Sequence, residues 1–79
     1  MDIKLTLEAC RKNTGMTLMD AADNVGVSYQ TLSKYENDSG NIPMELFSKL
    51  SALYKIPKEY IFLGNKNDFF QEFKNKPLV

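Results

Sequence analysis

Glycine and proline residues divide this chain into segments too short for anything larger than small helices. They stand at Gly15, Gly26, Gly40, Pro43, Pro57, Gly64 and Pro77. Apolar residues between them recur at the three- and four-residue spacing of a helix, and no segment alternates as a strand does. A chain of 79 residues buries only about 60% of its unfolded surface on folding. We therefore expect one all-α domain built mainly from local contacts.

The second segment shows the helical pattern most clearly. Leu18, Ala21, Ala22 and Val25 form one apolar stripe, and Thr17 stands where it would cap the helix. The same signals along the chain predict five helices, at about 6–14, 17–25, 28–37, 43–54 and 57–63, and a short extra one at about 68–75. Residues 1–64 would form the domain, and residues 65–79 would form a C-terminal tail.

Missing residue types exclude most kinds of active site. The chain has no histidine and a single cysteine, Cys10. It therefore lacks Ser–His and Cys–His nucleophile pairs, the commonest metal ligand and any internal disulfide. No apolar run approaches the roughly 18 residues of a membrane span, and the N-terminus lacks the pattern of a signal peptide. We expect a cytoplasmic protein that is not an enzyme, needs no cofactor, binds no metal and contacts no membrane.

The third segment has two faces of different chemistry. Its hydrogen-bonding residues fall on one arc of a helix: Tyr29, Gln30, Ser33, Lys34 and Asn37. Leu32 and Tyr35 fall on the opposite side and would seat the helix against the second one. The exposed amide, ammonium and hydroxyl groups are suited to reading base edges in the major groove of DNA. In an isolated helix, such an arc would more often be a solvated surface.

The residues around this arc resemble a known DNA-binding motif. Residues 17–37 are similar to the helix-turn-helix of the Xre family, the phage Cro and repressor-type domains. The matching positions are Ala22, Gly26, Val27, Ser28 and Glu36. Arg11 and residues 50–62 extend the similarity to about residues 5–64. The resemblance implies a compact, five-helix, lambda-repressor-like fold whose third helix enters the major groove.

The resemblance also implies roles for individual residues. Base contacts would come from Tyr29, Gln30, Ser33 and Lys34. Phosphate contacts would come from Lys12, Asn13, Thr17, Ser28, Asn37 and Asn41. Arg11 and Glu36 match an internal pair that would tie helix 1 to helix 3 without contacting DNA.

Two features set this chain apart from many relatives in that family. Leu18 replaces a glutamine that binds phosphate, and Asp38 stands where a glycine is common. The ten lysines and arginines are balanced by ten aspartates and glutamates. With few cations near the expected interface, one copy would bind DNA weakly, with a salt slope of roughly −3 or less. We therefore expect a homodimer that reads two half-sites.

The leading hypothesis is a Cro- or repressor-like regulator of transcription, of phage or prophage type, that binds an operator in double-stranded DNA. No small-molecule effector is expected. The alternative is a protein-binding module, such as an antitoxin or an adaptor, that holds its partner with an apolar tail. The residues in question are Phe69, Phe70 and Phe73, which would either pack on the domain or form a dimer interface.

Overall fold

Four α-helices and one 3-10 helix make up the fold in a computed structural model that describes residues 4–69. In chain order they are α1 (Leu7–Asn13), α2 (Leu18–Val25), α3 (Tyr29–Asn37), α4 (Met44–Tyr54) and the 3-10 helix Lys58–Tyr60. The expected all-α fold is confirmed over the described residues, where β-pairing is limited to two isolated bridges. None of the helices in this part of the chain has the length and apolar character that crossing a bilayer requires.

Hydroxyl side chains determine where the first three helices begin. Thr6, Thr17 and Ser28 each precede a helix and accept the N–H of the residue three positions later, at 3.1, 3.1 and 3.2 Å. Each bond satisfies a backbone donor that the first helical turn leaves unpaired. These local caps define the starts of α1, α2 and α3 without the help of long-range contacts.

A left-handed glycine makes the tight turn between α2 and α3. Gly26 has a φ of +78°, and the next residue, Val27, donates its N–H to the carbonyl of Ala22 at 3.1 Å. A Cβ on Gly26 would meet no atom within 4 Å, so the backbone conformation rather than a lack of space favours glycine here. The turn allows α3 to pack directly on α2.

The core lies between the inner faces of the four α-helices. Its largest fully buried side chains are Leu7, Leu32, Leu50 and Cys10. Helix α2 contributes small residues, including the fully buried Ala21, and these let neighbouring helices approach closely. Burial raises the pKa of the Cys10 thiol above its usual value, as expected for a small core residue that stays protonated.

The last helix of the domain is shorter than the sequence predicts. Helical structure is expected over residues 57–63, but only the 3-10 turn Lys58–Tyr60 forms. Beyond it, Leu5 donates its N–H to the carbonyl of Tyr60 and accepts the N–H of Phe62, both at 2.8 Å. Because the N-terminal segment takes the backbone groups that a continuing helix would use, the longer helix predicted from the sequence is wrong.

The first residues of the predicted tail pack on the domain. Asn65 forms an isolated antiparallel bridge with Asp38. The ring centroid of Phe69 lies 4.8 Å from that of Phe62, with the two planes tilted by 56°. Helical backbone begins at residue 66, two positions before the start of the tail helix predicted at about 68–75, and the part of that helix beyond residue 69 lies outside the described residues. The tail therefore continues the domain as far as the structure describes it.

Candidate nucleic-acid interface

The outer face of α3 carries the residues predicted to contact bases. Gln30 and Lys34 are exposed, Tyr29 keeps 46% of its surface exposed, and Ser33 is half-buried. On the inner face, Leu32 is fully buried. Helix α3 is thus seated on the core by one side and presents amide, ammonium and hydroxyl groups on the other. That combination suits an element that enters a major groove.

Lys34 lies over an aromatic ring. Its Nζ is 5.3 Å from the ring centroid of Tyr35, a half-buried residue that packs against the core. A cation above a ring at an exposed site gains about 0.5–1 kcal/mol. The contact orients the lysine but is weak enough to be exchanged for a contact with DNA.

A buried ion pair joins α1 to α3. Arg11 Nε donates to Glu36 Oε2 at 2.7 Å, and Arg11 Nη2 donates to Glu36 Oε1 at 3.1 Å. The remaining nitrogen, Nη1, donates to the carbonyl of Met16 at 3.0 Å, just before α2. Hydrogen bonding to the Glu36 carboxylate raises the pKa of Arg11 above its already high value. The pair therefore fixes α3 relative to both α1 and the start of α2.

The phenol of Tyr54, at the end of α4, lies within electrostatic reach of this pair. Tyr54 is only 3% exposed, and its Oη has no hydrogen-bond partner among the described residues. Burial raises the pKa of Tyr54 to about 12, and the negative charge of Glu36 adds to the shift. Tyr54 is therefore a neutral core residue under ordinary conditions.

At the start of α2, two backbone N–H groups are bonded by side chains of the same helix end. Thr17 Oγ1 accepts the N–H of Asp20 at 3.1 Å, and Asp20 Oδ2 accepts the N–H of Thr17 at 3.3 Å. This reciprocal capping box uses two backbone donors at this end and places a carboxylate beside the others. Leu18 is half-buried and packs against the core. A phosphate bound at this helix end would therefore share it with the Asp20 carboxylate.

The loop after α3 is fastened to the C-terminal segment. Ser39 is buried; it donates its N–H to the carbonyl of Gly64 at 3.0 Å and accepts the N–H of Gly64 on its Oγ at 3.0 Å. Asn37 and Asn41, two of the residues predicted to contact phosphate, are exposed on either side of Ser39. Asp38 is exposed as well. The loop thus exposes these polar side chains to solvent, whereas Ser39 holds it against the C-terminal segment.

The remaining residues predicted to contact phosphate are exposed at helix ends. Lys12 and Asn13 end α1, and Ser28 precedes α3. Lys12 Nζ lies 3.4 Å from Glu8 Oε2, and Nζ of Lys66 lies 3.8 Å from Glu8 Oε1. The Lys12 side chain is itself 66% exposed, and an ion pair with an exposed lysine contributes little to stability, so Lys12 is not committed to Glu8.

Comparison with known families matches the region that contains helices α1 to α4. The profile of a helix-turn-helix family, Xre-like in kind, matches residues 7–61, which is most of the chain. The chain belongs to this helix-turn-helix family. A search of curated proteins gives no match. The helix-turn-helix assignment makes the protein a DNA-binding regulator of transcription, in agreement with the polar outer face of α3.

Acidic side chains surround the helix-turn-helix as well as basic ones. Asp20 and Asp23 are exposed on α2, and Asp38 is exposed directly after α3. Helix α3 itself carries one basic residue, Lys34. The field near the helix-turn-helix is therefore not strongly positive, and attraction of phosphates at long range is weak.

One buried polar residue beside the helix-turn-helix has a role that the sequence does not reveal. Ser39 stands in a stretch that reads as an ordinary polar loop, yet the residue is 3% exposed. Its partner Gly64 lies 25 positions away in the sequence, and no local pattern signals the pairing. Within residues 4–69, His, Cys, Asp and Glu side chains do not gather in groups of three or more that could hold a metal ion.

Proposed function

We propose that this helix-turn-helix protein is a sequence-specific regulator that binds an operator in double-stranded DNA as a homodimer. Helix α3 carries the proposal, because its exposed Gln30 and Lys34 stand above the fully buried Leu32. An amide pairs with the edge of adenine, and an ammonium pairs with O6 and N7 of guanine. Tyr29 and Ser33 complete the proposed set of base contacts.

Phosphate contacts would surround this helix. The proposed residues share exposed positions at the ends of α1, α2 and α3 and in the loop after α3: Lys12, Asn13, Thr17, Ser28, Asn37 and Asn41. When α3 enters the groove, α2 crosses the backbone and the helix ends approach the phosphates. Contacts of this kind hold the protein in register but carry no sequence information.

The homodimer follows from the small number of cations available to one copy. Roughly three phosphates can be neutralised by one copy, which leaves sequence-independent binding weak. Exposed apolar side chains lie in and near the bridge between Leu5 and Ile61, at Leu5, Tyr60 and Leu63, and would offer a surface to a second copy. The two recognition helices of the dimer would lie about 34 Å apart on the DNA.

The proposed setting is a cytoplasmic phage or prophage switch in which the dimer represses transcription by covering its operator. Similarity of residues 17–37 to the Cro and repressor-type domains supports this setting. The alternative, an antitoxin or adaptor, relies on the predicted cluster of Phe69, Phe70 and Phe73. Phe69 uses its ring in a contact with Phe62, whereas Phe70 and Phe73 lie outside the described residues.

A binding-site selection from random duplex DNA tests the proposal. Fluorescence anisotropy then compares the selected duplex with a scrambled one for the parent and for Gln30→Ala, Lys34→Ala and Lys49→Ala. The parent should prefer the selected duplex by at least about a thousandfold. Each α3 variant should lose about tenfold to a hundredfold of that preference. Lys49, an exposed α4 lysine 3.5 Å from Glu45, is the matched control and should retain it.

Two results would overturn the proposal at different levels. A parent protein that selects no sequence is not a sequence-specific regulator. A parent that selects one, with α3 variants that keep the full preference, does not read DNA with α3. Sedimentation of the protein with its duplex gives the number of copies bound, and a single copy per site would exclude the dimer.

A further inference from the structure

The loop over residues 38–42 is held in place by a buried polar residue. Ser39 is only 3% exposed, although it is polar and lies between exposed neighbours. Its backbone and its side chain both bond to the segment around Gly64, with N–H to carbonyl and amide to hydroxyl distances of 3.0 Å each. The Ser39 hydroxyl also lies 3.3 Å from the carbonyl of Phe62. We call this set of bonds the Ser39 clasp.

The two segments that the clasp joins pass close to each other. Gly64 has a φ of +147°, and a Cβ there would meet Phe62 Cζ at 3.0 Å. A Cβ on Gly40 would lie 3.8 Å from the Cα of Gly64, which shows how closely the two segments pass. The bridge between Asp38 and Asn65 continues the contact by one residue pair. The contact between the two segments thus extends beyond Ser39 to the neighbouring residues.

The clasp determines the shape of the loop. Ser39 accepts the N–H of Ile42 on its carbonyl at 3.2 Å, and Asp38 accepts the N–H of Gly40 on its carboxylate at 3.0 Å. These short-range bonds fold the loop around Ser39, and the clasp fixes that fold to the body of the domain. The exposed side chains of Asn37 and Asn41 are carried on either side of it.

A fixed loop matters more here than in a strongly basic protein. The chain carries no net charge, so a general electrostatic attraction cannot compensate for badly placed donors. Phosphate contacts set the register of a DNA-binding domain, and a loss of about 1 Å in precision weakens a binding site even when every ligand is present. The donors of the loop therefore have to be in place before DNA arrives.

We propose that Ser39 is a positioning residue for DNA binding, which holds the phosphate-contacting loop in its bound shape by clasping the segment at Gly64. This inference rests on the proposed function, because it assumes that Asn37 and Asn41 contact phosphates. It also links the loop to the C-terminal segment, since Phe62 in the clasp packs against Phe69. Changes in that segment would then be transmitted to the DNA-binding surface.

The test compares Ser39→Ala with Ser51→Ala in the full chain. Ser51 donates its hydroxyl to the carbonyl of Ile56 at 2.7 Å at the end of α4, so its variant removes a similar bond outside the loop. Affinity for the selected duplex is measured across a series of salt concentrations, at a temperature where circular dichroism shows both variants fully folded. Ser39→Ala should bind about tenfold more weakly but keep the salt slope of the parent, because the loop donors Asn37 and Asn41 are uncharged and neutralise no phosphate. Ser51→Ala should match the parent in both quantities.

Each outcome decides the proposal. Parent-like affinity in Ser39→Ala, or equal losses of affinity in both variants, would overturn it. A parent that selects no sequence would defeat the proposed function itself, which is a distinct result. If Ser39→Ala does not fold, hydrogen exchange in the parent takes its place: the Ser39 and Gly64 amides should exchange at least about a hundredfold more slowly than exposed loop amides. Exchange as fast as those exposed amides would show that no clasp exists.

Discussion

Tyr54 shows what a single buried hydroxyl does in this core. Its Oη lies at the end of α4, near the charges of Arg11 and Glu36, without a hydrogen-bond partner among residues 4–69. A neutral phenol tolerates this position better than a phenolate, because burial and the nearby carboxylate both oppose a negative charge. The folded state therefore holds the phenolic proton more tightly than the unfolded state does.

Stability should fall at alkaline pH because of Tyr54. Its pKa rises from 10.0 to about 12 on folding, so its contribution is complete below pH 10 and is lost as pH rises through 12. The loss amounts to about 2–3 kcal/mol. Urea unfolding at a series of pH values should show a smaller fall for Tyr54→Phe. Tyr60→Phe, at a residue that is 51% exposed, should behave as the parent does; equal falls in all three proteins would contradict this account.

At the scale of the elements, Arg11 and Glu36 hold the helix-turn-helix in position. Their two-point contact joins α1 to α3, and the third bond of Arg11 reaches the carbonyl of Met16 before α2. Both side chains are largely removed from water, so each needs the other to balance its charge. The pair thus fixes the placement of α3 against α1 and the start of α2.

Removing one partner of the Arg11–Glu36 pair should therefore reduce the free energy of unfolding more than replacing both partners does. Arg11→Ala leaves the Glu36 carboxylate buried and unpaired, and should reduce the free energy of unfolding by about 3–5 kcal/mol. The double variant Arg11→Met with Glu36→Leu should regain much of that loss. Lys12→Ala, which removes an exposed contact with Glu8, should change stability by at most about 0.5 kcal/mol. Chemical denaturation measures all three; a double variant less stable than Arg11→Ala would show that the pair stabilises the fold by itself.

The whole molecule has no net charge, and this affects how it would bind DNA. The sequence has ten basic and ten acidic residues, and exposed aspartates lie on α2, which precedes α3, and directly after α3. Such a protein gains little from the phosphate backbone as a whole and depends on contacts made in register. Weak binding to random DNA is then a consequence of its composition.

Salt dependence provides the corresponding measurement. Two copies that each neutralise about three phosphates should give a slope of log K against log salt of roughly −5. Anisotropy titrations over a range of KCl concentrations yield the slope for the selected and the scrambled duplex. Asp38→Asn keeps the oxygen that Gly40 uses and removes one negative charge beside the interface, so it should strengthen binding to both duplexes. A much steeper slope for the parent, or tight binding to the scrambled duplex, would contradict this expectation.

What the sequence determined by itself is local. The caps Thr17 and Ser28, the left-handed turn at Gly26 and the polar arc of α3 can all be read within a few residues. Helix periodicity and capping act over one or two turns, so the sequence alone contains the information that defines them. For the same reason, helical periodicity and the family resemblance together are enough to name the residues proposed to read bases.

What only the tertiary structure decided depends on partners far apart in the chain. The Leu5 bridge to Ile61 shortens the last helix, the clasp of Ser39 on Gly64 holds the loop, and Tyr54 approaches the ion pair. Local preference alone would have allowed a longer helix, a free loop and an ordinary apolar position. The bonds of Leu5 and Ser39 form only when the whole domain closes, because hydrogen-bonding groups in these segments must then find partners wherever the fold brings them.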